Sequence, residues 1–206
     1  MSESLLREQW RTLRAWLEGA DVLAHGPLPT GLDAWTVSEL VAHLGFGLGM
    51  LTEITPAEPG TEPMSFGRYV GHYPPAADAI AANTCDLAAE LEGDLLAGLD
   101  RIAAAAFAAI DGVTWSVVLG RRGPLGYPDY LQTRLLELVV HGDDLARAIH
   151  APTSPVLGDA AASVAATLAD AYEELSGHRP ELVDPMAWIR AATGRVPNDD
   201  PHLPLL

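Results

Sequence analysis

The amino-acid sequence predicts an all-α fold: a four-helix bundle with additional short helices at its C-terminal end. Three observations lead there. Apolar residues recur every three or four positions near the start of the chain, a capping signature opens a second apolar stretch, and the segment before residue 150 is dense in Leu and Val with its polar residues on two faces.

Each element has its own reason. Leu5, Leu6, Trp10, Leu13, Trp16, Leu17 and Ala20 share a helical spacing, placing a first helix over roughly residues 3–24. Gly26, Pro27, Pro29 and Gly31 make the turn that follows. In Thr36-Val37-Ser38-Glu39 the threonine caps free backbone amides and the glutamate returns the bond, so a second helix starts at Val37. Residues 55–74, rich in Pro and Gly, read as a loop with a short helix over Ser65–Gly71. A loop of that length is more often a lid or pocket wall than a connector.

The Ala-rich and Leu-rich stretch from Pro75 to Ile110 holds the third major helix, kinked or divided near Asn83-Thr84, where both side chains favour local bonding. Residues 111–128 read as irregular, with a brief alternation at Val113, Trp115 and Val117. The fourth major helix runs from about Asp129 to Ile149. Short helices near 158–176 and 185–193 pack outside the bundle, the second opened by Asp184-Pro185 and stopped by Gly194. Residues 1–196 then form a single domain, and 197–206 a loose, proline-rich tail.

Composition narrows the function. Asp and Glu total 28 against 12 basic residues, all of them arginine, for a formal charge of -16. Such a surface repels nucleic acid and anionic membranes, and no apolar run is long enough to span a bilayer. The single cysteine, Cys85, suits a reducing compartment and is read as a packing residue. With no signal-peptide pattern at the start, the expectation is a cytoplasmic protein, either a monomer or a homodimer.

His43, Glu137 and His141 carry the chemistry. Glu137 and His141 are four residues apart, so they share one helical face, together with Arg134 and Asp144. Asp143, Arg147 and His150 fall on the opposite face and are assigned to solvent, which turns Glu137 and His141 into the fold. His43 sits at the edge of the second helix's apolar stripe, one turn before Gly47, which leaves room for a ligand or close neighbour. Taken singly, each residue has a simpler use: His43 as a bonded core histidine, Glu137 as the partner of Arg134, and His141 as a bridge to Asp144. Together they make a divalent-metal site with an open position. Zinc suits it, and the nitrogen and oxygen donor set also admits nickel, iron or manganese.

Such an ion would hold a thiolate, lower the pKa of water or polarise a carbonyl. Asp144 is placed behind His141 as its orienting partner, and Arg134 either binds a substrate carboxylate or holds Glu137. His72, Tyr73 and Trp115 are candidates for lining the cofactor pocket, whereas Trp10, Trp16 and Trp35 are read as packing residues.

Three pieces carry a family resemblance: Ala34-Trp35-Thr36-Val37-Ser38-Glu39-Leu40-Val41-Ala42-His43-Leu44, then Arg134-x-x-Glu137-x-x-x-His141-x-x-Asp144-Leu145, and Trp188-x-x-Ala191-x-Thr193-Gly194-Arg195. In order and separation they resemble the mycothiol-dependent maleylpyruvate isomerase family within the DinB-like bundle superfamily. The resemblance implies that His43, Glu137 and His141 hold a divalent ion, usually zinc. It also implies mycothiol as the thiol cofactor and a small-molecule electrophile as substrate, with isomerisation or thiol transfer as the reaction. The alternatives are a metal-dependent hydrolase or hydratase that activates water, and a noncatalytic metal- or ligand-binding protein.

Overall fold

The computed structural model describes residues 3–32 and 35–206; Ala34, which opens the first of the three pieces, lies outside them. Among the described residues the architecture is all-α with one small sheet, as the periodicity predicts. Helix α1 spans Glu3–Gly19 and buries Leu6, Trp10, Leu13 and Leu17. It stops short of residue 24 because Asp21 takes a left-handed conformation (φ 48°) and starts a separate 3-10 turn over Val22–His25.

Helix α2 (Val37–Gly49) opens with the expected capping box: Glu39 N donates to Thr36 Oγ1, and Thr36 N donates to Glu39 Oε2. It is buried nearly all round, because three helices from later in the chain pack against it. That central place fixes where His43 can look.

The loop after α2 contains the short helix α3 (Phe66–Val70), capped by Ser65. The next stretch divides, but not at Asn83-Thr84. Helix α4 (Ala77–Glu90) runs unbroken through both residues, and the chain turns at Gly93, whose φ of 83° suits glycine, before α5 (Leu95–Ile110) begins. Thr84 does not break its helix because its hydroxyl bonds across to another helix.

Residues 111–128 hold more order than the sequence suggests. Strands β2 (Val117–Gly120) and β3 (Gly123–Gly126) form an antiparallel hairpin, with Val118 opposite Leu125 and Arg121-Arg122 as its two-residue turn. The two-residue strand β1 (Thr55–Pro56) pairs with β2, giving the order β1-β2-β3.

Helix α6 (Tyr127–Ala148) supplies most of the site. Its second polar face is only partly in solvent: Arg147 and His150 are exposed, but Asp143 is 6 % exposed. The cause is α8 (Pro185–Ala192), whose Arg190 grips Asp143 through two bonds of 2.6 and 2.8 Å. Helix α7 (Gly158–Ser176), at 19 residues, is longer than α2, and its Ala160, Ala161, Val164, Ala165 and Leu168 are part of the core. Small alanines let it lie close to α6. In the proline-rich segment 197–206, Leu205 N donates to Ala192 O at 2.8 Å, and Leu203, Leu205 and Leu206 pack against the core. Among the described residues no helix is long and apolar enough to cross a membrane.

Candidate metal centre

Two helices bring three donors to one point. Helix α2 supplies His43, and α6 supplies Glu137 and His141 from successive turns. Glu137 Oε2 lies 3.3 Å from His43 Nε2 and 3.2 Å from His141 Nε2, and the three donor atoms all fall within 4.8 Å of one another. Ligands on one tetrahedral zinc, bonded at the usual lengths, are about 3.3 Å apart. The donor set therefore fits a divalent ion in its chemistry, and the two separations from Glu137 match that spacing.

Each imidazole is held from behind. His141 Nδ1 lies 3.0 Å from Asp144 Oδ2, which also accepts from Arg195 at 3.0 Å. His43 Nδ1 lies 3.0 Å from Thr84 Oγ1 on α4, and the Trp35 ring stacks on the His43 ring at 4.4 Å. With both Nδ1 atoms engaged, both Nε2 atoms face the shared point, the orientation that metal-binding histidines need.

The electrostatics follow from burial set against these partners. Burial pushes the Glu137 carboxyl up, but bonds from His141 and His43 outweigh it and hold the group well below its usual range. His43 is lowered: burial outweighs the upward pull of its bond to Glu137, and the charges of His141 and Arg134 add smaller downward pushes. His141 goes the other way: burial lowers it, but Asp144 and Glu137 together raise it. Asp144 is raised by burial and lowered further by His141 and Arg195, for a net fall.

A cavity of about 430 Å³ opens on the donors. Apolar Leu32, Ile80, Leu136 and Val140 line much of it, with Tyr73, Arg195 and Leu206 completing the wall. This is the size of a small-molecule site.

The remaining sequence candidates divide. Tyr73 lines the cavity and its hydroxyl accepts from Arg134 Nη2 at 2.9 Å. Arg134 is buried beside the centre but forms no ion pair with Glu137; it bonds Gly47 O, Thr133 Oγ1 and Tyr73. His72 is exposed and Trp115 is 37 % exposed on the hairpin side, and neither lines the cavity. The alternation around Trp115 marks an approach to a strand whose turn, not whose tryptophan, reaches the centre.

Thr84, Trp35 and the role of Arg195 were not foreseen. Thr84 reads as a helix breaker in an alanine-rich run, Trp35 as a packing residue, and Arg195 lies 51 residues from the aspartate it holds. The only cue for Trp35 was its place immediately before the N-cap of the helix that carries His43.

Comparison with known proteins agrees with this geometry. No curated protein and no solved structure matches the chain. A family model described as the mycothiol maleylpyruvate isomerase N-terminal domain matches residues 6–146, a span that contains all three donors and Asp144. That span is well over half of the chain, and the helical architecture around the donors is the one expected of the DinB-like superfamily. The chain therefore belongs to the mycothiol maleylpyruvate isomerase N-terminal domain family.

Proposed function

We propose that this protein is a cytoplasmic, zinc-dependent enzyme that uses a low-molecular-weight thiol, mycothiol, to isomerise or transfer to an electrophilic small molecule. The observation that carries the reading is the convergence of His43, Glu137 and His141 on the wall of a cavity of about 430 Å³. A divalent ion bound there supplies a lowered thiol pKa, and so more thiolate at neutral pH. The protein's own residues do the rest. Asp144 and Arg195 hold the His141 ring, Thr84 and Trp35 hold the His43 ring, and Glu137 contributes the charge that favours a cation over two neutral imidazoles. The apolar walls exclude water from the attacked carbon, which favours sulfur over water as nucleophile.

The test combines metal analysis with thiol-dependent turnover. Protein purified without chelator is expected to hold about one zinc per chain, and the zinc-reconstituted protein to consume mycothiol with an electrophile such as 1-chloro-2,4-dinitrobenzene. His43→Ala and His141→Ala should each lose metal and turnover while remaining folded. Full metal occupancy in both variants, or turnover that proceeds equally without thiol, overturns the reading.

A further inference from the structure

Helices α4 and α6 both pack on α2, and the cavity of about 430 Å³ takes its walls from both. Ala77, Ile80 and Ala81 follow a three- and four-residue spacing on α4, so they present one apolar face, and Thr84 continues that face to its bond with His43. On α6, Leu136 and Val140 flank Glu137 and His141 in the other wall. The metal donors are thus set into a chamber whose sides are otherwise mostly hydrocarbon.

The charges around this chamber are already matched. Among the described residues, Arg195 is the one arginine that lines it, and its guanidinium is taken by Asp144 and by Thr193 O. The Tyr73 hydroxyl accepts from Arg134, and Arg134 shares with Glu137 a neighbouring space of about 40 Å³. That space is close to the roughly 30 Å³ share of one water, too little for an arm of a substrate. A divalent ion on two neutral imidazoles and the Glu137 carboxylate carries one net positive charge, which a thiolate cancels. An acidic ligand in the chamber would meet no unpaired arginine there, on a protein of formal charge -16.

We propose that the chamber binds the apolar body of an uncharged electrophile, with the α4 face of Ala77, Ile80 and Ala81 as its specificity-determining wall. This rests on the thiol and electrophile reading above and narrows the substrate class. The alanines keep the chamber wide: a closed apolar cavity of roughly 150 Å³ takes one benzene ring, so this one has room for a two-ring aromatic or an alkyl chain of similar bulk. Affinity comes from hydrocarbon removed from water and needs no directed polar contact. A carboxylate is rejected because burial there leaves it unpaired.

The test is binding of N-phenyl-1-naphthylamine, an uncharged probe that brightens in apolar sites, to protein as purified with mycothiol present and again after zinc removal. 1-Octanol and octanoate share a chain length and differ in head-group charge, and octanol should displace the probe at least about tenfold better in both arms. Ile80→Asp, which charges the wall, and Ala81→Phe, which fills the space, should each weaken probe binding by about tenfold or more. Ile80→Leu and Leu175→Ser, a change at an exposed apolar residue away from the cavity, should leave it unchanged. Octanoate competing as well as octanol, no probe binding by wild type, or wild-type probe affinity in either Ile80→Asp or Ala81→Phe overturns the proposal. Because the zinc-free arm reads the walls directly, failure of zinc uptake or of thiol turnover would sink the reading above and leave this one to be decided by the probe.

Discussion

Thr84 Oγ1 lies 3.0 Å from His43 Nδ1, so a threonine on α4 sets the ring orientation of a donor on α2. Both groups are buried, and losing one partner leaves the other without a substitute. Thr84→Val, which keeps the shape and removes the hydroxyl, is expected to weaken zinc binding by roughly 10–100-fold. Thr84→Ser should restore most of it. Competition titration against a chromophoric chelator measures both, and wild-type affinity in Thr84→Val would show that the contact does not position the ring.

The support behind His141 is charged, so its two members should differ in effect. Asp144→Ala removes the acceptor of the Nδ1 proton and is expected to cost roughly 10–100-fold in zinc affinity. Arg195→Gln leaves that acceptor in place but strands a carboxylate that is 4 % exposed, so its larger effect should be on stability, about 1–3 kcal/mol by denaturant unfolding. The reverse order of zinc affinities, with Arg195→Gln the weaker binder, would contradict the arrangement.

Protons and metal compete for the same atoms. In the metal-free protein His141 is raised above its ordinary value of 6.5, so its charged form stabilises the fold fully below that value and the contribution fades as pH rises through the raised value. Glu137 and Asp144 are lowered, so their contributions are present above the usual carboxylate range and are lost as pH falls through their folded values. Zinc must displace the His141 proton. Its affinity is therefore expected to climb with pH between about 6 and 8, with proton release that calorimetry in buffers of different ionisation enthalpy detects. A flat affinity over that interval would count against His141 as a donor.

Gly47 faces Glu137 across the α2–α6 contact, and a methyl group there would sit 3.7 Å from Glu137 Cβ, an ordinary contact distance. Gly47→Ala should therefore fold and gain roughly 0.5–1 kcal/mol from helix propensity, with zinc binding retained. Gly47→Leu should push Glu137 aside and lose the metal. Thermal unfolding with and without zinc separates the two outcomes.

How much of this was legible in the sequence depended on whether a residue's neighbours were close in the chain. The capping box, the shared face of Glu137 and His141, and the bridge from His141 to Asp144 are all local, and periodicity reveals them. Thr84, Arg195 and Arg190 act on residues far along the chain, and no spacing rule connects them. Asp143 went to the wrong side because two polar faces on α6 left a choice, and the choice assumed that one must meet water; α8 covers it instead. The Arg121-Arg122 hairpin was hidden because its turn residues are not the glycine and asparagine that usually mark a two-residue turn.

Arg195 also bears on how the molecule can be divided. A fragment cut to the span 6–146 would contain every donor atom, yet it would lack the arginine that neutralises Asp144 and the alanine face that covers α6. Possessing the ligands is thus not the same as possessing the site: the downstream third of the polypeptide acts as a clamp, and recombinant work on this centre should begin with the uncut chain.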